Sequence, residues 1–408
     1  MRLAILAEDL TAADCALPAM RLGARTTVRL SAPARKTVDD CDVVAWDLDI
    51  GRRPRAGAGA RIARAARQLD ADDTLYLNIG SVPPRNVGCA VDAALAGSGR
   101  SVAIFAPALP SLGRVTANGR QHGPTWPASG IDLTGRLRAT SRAHVVSVRA
   151  AALQNGAFPR ARGSQPAVIL ACDAATDEDL EHIVAAGARL GEPAVWVGST
   201  ALAAPLTASV LGATTAPPPT SPRRNGPVLV VVGSMARSIE AQLSTLRSVL
   251  RVVPVEVDSL ALAGGGPRTR RVIGEAAAAV ARALAVGADA ALFARGSQLA
   301  MTALCERIAD GLAAVARSAL DRERAGGLVV TGAQTARAVC DALGIAGIEL
   351  VGEIEPGVPL GRTAGGQLDI VARAGTFSGR LSLARALAAF EPHSPDLNGA
   401  DRAITPPD

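Results

Sequence analysis

Short apolar runs set between alanine-rich segments of helical period dominate this sequence, and that alternation restricts the fold more than any single motif. LAIL (3–6), DVVAW (42–46), TLYLNI (74–79), SVAIFA (101–106), AVILA (167–171) and AVWVG (194–198) occupy the first half. PVLVVVG (227–233), VVPVEV (252–257), AALFA (290–294), GLVVTG (327–332), IELVG (348–352) and DIVARA (369–374) occupy the second. A strand apolar along its whole length is covered on both faces, and helices between such strands supply the cover. Segments 59–69 and 177–190, with apolar residues three and four apart, read as those helices. The predicted class is α/β, each sheet mostly parallel and flanked by helices.

At 408 residues the chain exceeds what one hydrophobic core normally serves, so two domains are expected. The break is ATTAPPPTSPRRNGP (213–227), whose prolines can join neither a helix nor a central strand. The expected organisation is an N-terminal domain over 1–212, a linker over 213–227, a C-terminal domain over 228–390, and an aperiodic tail over 391–408.

Composition excludes several functions. Aromatics are only 2% of residues, so the cores are built from Ala, Val, Leu and Ile, and stacking platforms for single-stranded nucleic acid are lacking. No basic arm appears, and no nucleic-acid partner is expected. The net charge of +6, nearly all from Arg, suits either an anionic ligand or a solvated arginine-rich surface. Six scattered cysteines without CxxC read as small buried hydrophobes in a reducing compartment. Glu8 and Asp9 interrupt the start before a signal region forms, and no apolar run approaches ~20 residues. A cytoplasmic protein without a membrane partner is expected.

In open α/β sheets ligands bind beyond the carboxyl ends of the strands. After the first strand comes Glu8-Asp9-Leu10-Thr11-Ala12-Ala13-Asp14. Its three carboxylates and hydroxyl could hold a base or a polyol, or could cap the following helix. In the second half, glycine turns follow the strands at Gly233-Ser234, Gly332-Ala333-Gln334-Thr335, the segment 352–361, and Arg373-Ala374-Gly375. Glycine lets backbone amides approach a phosphate closely, and four such turns in one domain favour an anionic nucleotide. GxxxxGK[ST], GxGxxG after the first strand, and GxSxG are all absent, so P-loop, standard dinucleotide and α/β-hydrolase readings fail. Four histidines without HxH or HExxH offer no metal site, and none is expected.

The order of these motifs resembles the four-carbon acid sugar kinase family, formerly a family of unknown function, from about residue 3 to 390. The family's DDxTGAxD pattern is met over Glu8 through Ala13, with Glu8 in place of Asp and Ala12 in place of Gly, and Asp14 stands one place before its final Asp. APAxPxxGR is matched by Ala106-Pro107-Ala108-Leu109-Pro110 with Gly113-Arg114, and DAxTDxDL by residues 173–180. GSxGLA appears at 198–203, and GExxPGVP is matched by Gly352-Glu353 with Pro356-Gly357-Val358-Pro359. GSxSxxTxxQ corresponds to Gly233 through Gln242, with Ala236 and Ile239 substituted. GGxT and KxGxFG correspond to 332–335 and to Arg373 through Ser378. Two motifs depart further. KxDSTxRGN has become Asn78-Ile79-Gly80-Ser81-Val82-Pro83-Pro84-Arg85-Asn86, and a T-acid-SR element has become Leu48-Asp49-Ile50-Gly51-Arg52.

The resemblance implies an ATP- and Mg2+-dependent kinase for 3-oxo-tetronate, D-threonate or D-erythronate, with both ligands in the cleft between the domains. It places the catalytic carboxylates at Asp9, which accepts the hydroxyl proton, and Asp14. Glu8, Thr11, Arg52, Ser81, Arg85, Asn86 and Arg114 are expected at the acid sugar. Ser234, Gln242, Gly332, Ala333, Gln334, Thr335, Gly352, Pro356, Gly357, Arg373 and Gly375 are expected at the nucleotide. The expected partner is this small-molecule substrate, and a homodimer is compatible with the resemblance. A second reading is a catalytically degraded paralogue that binds nucleotide or sugar acid without turnover.

Overall fold

The structure, a computed structural model, describes residues 2–30, 41–50, 57–153, 158, 167–212, 226–233, 238–296, 303–366, 368–373 and 381–390. The chain divides into two compact units, residues 1–217 and 218–408. Most of the expected linker, Arg52, Ser234, Gly375 and the tail lie outside the described residues.

In the first unit the strands are β1 (Leu3–Ala7), β2 (Thr26–Arg29), β3 (Val43–Asp47), β4 (Thr74–Asn78) and β5 (Val102–Ala106). A small hairpin set follows, β6 (Val115–Ala117), β7 (Arg120–His122) and β8 (Ile131–Asp132), then β9 (His144–Val148), β10 (Val168–Cys172) and β11 (Ala194–Gly198). The order β2-β3-β1-β4-β11-β5-β10-β9 is parallel throughout. β6, β7 and β8 form a separate antiparallel sheet.

Burial explains the arrangement. Every residue of β1, β3 and β11 is buried, because helices lie on both faces of the sheet. Helix α1 (Thr11–Arg21) follows β1 and turns Ala12, Cys15, Ala16 and Ala19 inward. At edge strand β9 burial breaks down, and its residues alternate with exposed His144 and Ser147.

The second unit contains β12 (Val228–Val232), β13 (Val253–Asp258), β14 (Ala290–Arg295), β15 (Gly327–Thr331), β16 (Gly347–Glu353), β17 (Pro359–Thr363) and β18 (Asp369–Arg373). The order is β13-β14-β12-β15-β18-β17-β16, parallel from β13 to β18 and antiparallel at β17. Part of the segment predicted as one glycine-rich loop, 352–361, is thus strand, with the turn confined to the residues between β16 and β17. Arg362 of β17 makes a bidentate ion pair with buried Asp369 of β18, at 2.7 and 3.2 Å, and so satisfies that carboxylate inside the sheet. No helix among the described residues is long and apolar enough to cross a membrane.

Candidate active site

The β1 segment carries the carboxylates out of the first unit's sheet at its carboxyl end. Asp9 is half-buried, and its Oδ1 accepts a 2.9 Å hydrogen bond from the amide of Thr11, the first residue of α1. The other oxygen, Oδ2, takes no hydrogen bond among the described residues. One oxygen of Asp9 thus steadies the start of α1, whose N-cap is Leu10 and carries no side-chain cap of its own. Asp14 stands on the first turn of α1, three residues beyond Thr11. Glu8 is exposed, and its carbonyl accepts from the amide of Ile50 at 2.9 Å.

β4 runs beside β1, with Asn78 opposite Ala7. The Asn78 amide donates to Thr11 Oγ1 at 2.9 Å, and its Oδ1 accepts from the amide of Gly80 at 3.2 Å. Gly80 has φ 68°, a turn that suits glycine, and brings Ser81 back over the strand end. Arg114 donates from Nη1 to Ser81 Oγ at 2.6 Å, and Gln121 of β7 donates to the Ser81 carbonyl at 2.8 Å. Asp9, Thr11, Asn78, Ser81 and Arg114 are thus linked through the loops after β1, β4 and β5. Arg85 and Asn86 are exposed just before the helix Val87–Ser98, and neither hydrogen-bonds to this group.

Two other motifs near the strand ends serve the fold. Asp173, which follows β10, accepts from the amides of Asn118 and Gly119 at 2.7 and 2.9 Å and clamps the β6–β7 turn. Thr176 and Asp179 form a capping box for the helix Asp177–Gly187. Ser199 donates to the carbonyl of Ala108 at 2.5 Å and caps the next helix. Under the site, Cys15 is fully buried. Burial pushes its thiol well above the ordinary cysteine range, and the nearby charges of Asp14 and Asp9 add to the effect, so it stays a neutral thiol.

In the second unit a cavity of about 190 Å³ opens at the carboxyl ends of β12, β14 and β15. Gly233, Gly332, Ala333, Gln334 and Thr335 line it, with Ile308 and Leu312 on its apolar side. Gly332 has φ 92°, and the helix Ala333–Leu343 begins at once. The first-turn amides of that helix have no carbonyl within the helix to bond, and its dipole favours an anion there. Four expected nucleotide residues are therefore brought together by one turn. Gly352, Pro356, Gly357 and Gln242 do not line this cavity. Gly352 is buried in β16, and Gln242 is fully buried. Gly357, at φ 81°, donates its amide to Glu353 at 2.6 Å and shapes the β16–β17 turn. Arg373 ends β18.

Sequence reasoning missed Asn78 and Gln121. Asn78 stands where the family's KxDSTxRGN has its Lys, and its partner Thr11 lies 67 positions away, so the motif marks the position but not the contact.

A carboxylate at the strand ends of the first α/β unit and an uncapped helix start in the second are each features that a phosphotransferase can use. Residues 3–206 match the model of a sugar-binding N-terminal domain, and residues 229–381 match that of a nucleotide-binding C-terminal domain. A D-threonate kinase of Cupriavidus necator is 34% identical over 388 residues, which cover 88% of this chain and 90% of that protein. A D-erythronate kinase of Heliobacterium modesticaldum is 28% identical over 413 residues, covering 91% and 93% of the two chains. A 3-oxo-tetronate kinase of Burkholderia multivorans is 27% identical over 435 residues, covering 95% and 97%. The crystal structure of a Haemophilus influenzae protein of family DUF1537 shares the fold, with a TM-score of 0.70 at 18% identity over 95% of this chain and 100% of that one. The chain belongs to the four-carbon acid sugar kinase family.

Proposed function

We propose that the protein transfers the terminal phosphoryl group of ATP to a hydroxyl of a four-carbon acid sugar, with D-threonate as the first substrate to test. The observation that carries this reading is the Asp9 carboxylate, held by one oxygen on the Thr11 amide with the other oxygen open at the strand ends. The relatives named for D-threonate, D-erythronate and 3-oxo-tetronate support the substrate class.

In this reading the acceptor hydroxyl oxygen attacks the γ-phosphorus, the bond to the β,γ-bridging oxygen breaks, and ADP leaves. The hydroxyl proton passes to Asp9 Oδ2. Phosphoryl transfer rests on positioning and charge stabilisation together with one base, so a carboxylate fixed in orientation meets the requirement. The Arg114 guanidinium, steadied on Ser81, supplies a charged donor for the substrate carboxylate. Backbone amides of Ala333, Gln334 and Thr335 hold phosphate oxygens. Mg2+, when bound with the nucleotide, would neutralise phosphate charge.

The test is ADP formation by the full chain with MgATP and each of the three acid sugars. Substrate-dependent turnover is expected, and Asp9→Asn should lower kcat by about 10² to 10⁴ while leaving the Tm close to that of the wild type. ADP formation that no acid sugar stimulates would sink the reading.

A further inference from the structure

We propose that Asn78 is a positioning residue that fixes the Thr11 hydroxyl as a hydrogen-bond donor to the substrate. This rests on the functional reading above and deepens it, since it assigns a polarity to one contact of the acid-sugar site.

The inference follows from which groups can donate. Asn78 is 3% exposed at the end of β4, so its amide must be satisfied locally. One end faces the backbone N–H of Gly80 at 3.2 Å. A backbone N–H can only donate, so the atom facing it is the amide oxygen, and the orientation of the side chain is settled. The other end, which meets Thr11 Oγ1 at 2.9 Å, is therefore the NH2 group. An NH2 group can only donate, so the threonine oxygen accepts, and its own proton must point elsewhere. Thr11 Oγ1 donates to neither oxygen of Asp9, whose contact with this residue is the 2.9 Å bond from the Thr11 amide to Oδ1. Thr11 is half-buried at the open strand ends, and it makes no other hydrogen bond among the described residues. Its hydroxyl proton is thus available to a ligand at the strand ends, two residues along the chain from the Asp9 carboxylate. The pair presents a donor and an acceptor side by side. Such a pair recognises a hydroxyl next to a carbonyl, carboxylate or second hydroxyl oxygen, and it rejects two adjacent donors.

Asn78→Asp tests this with little change of shape. The aspartate keeps an oxygen for Gly80 but turns the other end into an acceptor, so the Thr11 proton swings inward and the donor is lost. Full-chain enzyme is assayed as wild type, Asn78→Asp, Thr11→Val and the double variant, with D-threonate and MgATP varied separately. The KM for D-threonate is expected to rise about tenfold in each single variant, with the KM for MgATP unchanged. In the double variant the effects should not multiply, because both remove the same donor. Thr11→Ser, which keeps the hydroxyl, should restore most of the activity that Thr11→Val loses. Effects that multiply, an equal rise in both KM values, or a failure of Thr11→Ser to restore activity would overturn the assignment while turnover by the wild type left the kinase reading standing. A wild type that neither turns over nor, by calorimetry, binds any of the three acid sugars would overturn both.

Discussion

Gly233 and Thr335 approach so closely that a Cβ on the glycine would lie 1.8 Å from the threonine hydroxyl and 2.4 Å from its Cβ. The end of β12 and the first turn of the helix Ala333–Leu343 meet here at the cavity beyond the strand ends. Gly233→Ala must push them apart. Overpacking of this kind costs about 1–3 kcal/mol, and the displaced turn is the one proposed above to hold the phosphates. The variant should therefore lose stability in urea and bind a non-hydrolysable ATP analogue on the order of tenfold more weakly. Unchanged nucleotide affinity would show that this turn does not hold the phosphates.

Where both faces of a strand are covered, the sequence alone marks the strand. VLVVV and LAILA are buried at every position and were legible as apolar runs. TTVR of β2 and HVVSV of β9 alternate buried and accessible residues, and PLGRT of β17 hides among turn glycines, so their composition resembles the surrounding loops. The Asn118-Gly119 turn carried a hairpin signal, with φ 53° and 71° at the two positions, but its flanking strands are only three residues long. The site divides the same way. Asp9 and Gly332 declare themselves by standing just after a strand. Asn78, Gln121 and the Arg114–Ser81 link depend on loops that meet only after folding.

Arg114 is expected to be sensitive to the shape of its cation as well as to its charge. Its Nη1 is engaged by Ser81 at 2.6 Å, which leaves the rest of the guanidinium fork to meet a carboxylate. A lysine keeps the charge but cannot hold the serine and a bidentate ligand at once. Arg114→Lys should raise the KM for D-threonate at least about tenfold with the KM for MgATP unaltered. A KM within twofold of the wild type would remove Arg114 from the acid-sugar site.

Asp173 should matter to stability rather than to chemistry. Its carboxylate is 8% exposed, and it satisfies the amides of Asn118 and Gly119. Asp173→Ala leaves the buried amide of Gly119 and the more accessible amide of Asn118 without this partner, at a cost of about 1–3 kcal/mol. Asp173→Asn keeps one acceptor oxygen and should lose roughly half as much. Urea denaturation of the two variants separates them. If they unfold together with the wild type, the turn is held by something other than this carboxylate.

Two buried thiols make the protein sensitive to alkali. Burial raises the Cys15 thiol well above its ordinary value and raises Cys172 likewise, with the Asp173 charge adding to the second. In the unfolded chain both ionise near pH ~8.5. A raised folded-state value means that the native form holds its protons more tightly, so this stability is fully present below that pH. It is lost as the pH climbs toward the folded-state values, by at most about 1.4 kcal/mol per pH unit for each thiol. The urea midpoint should therefore fall between pH 8 and 10, and Cys172→Ala should flatten that decline by up to half. A midpoint that holds steady over this range in the wild type would mean that neither thiol is shielded as the structure places it.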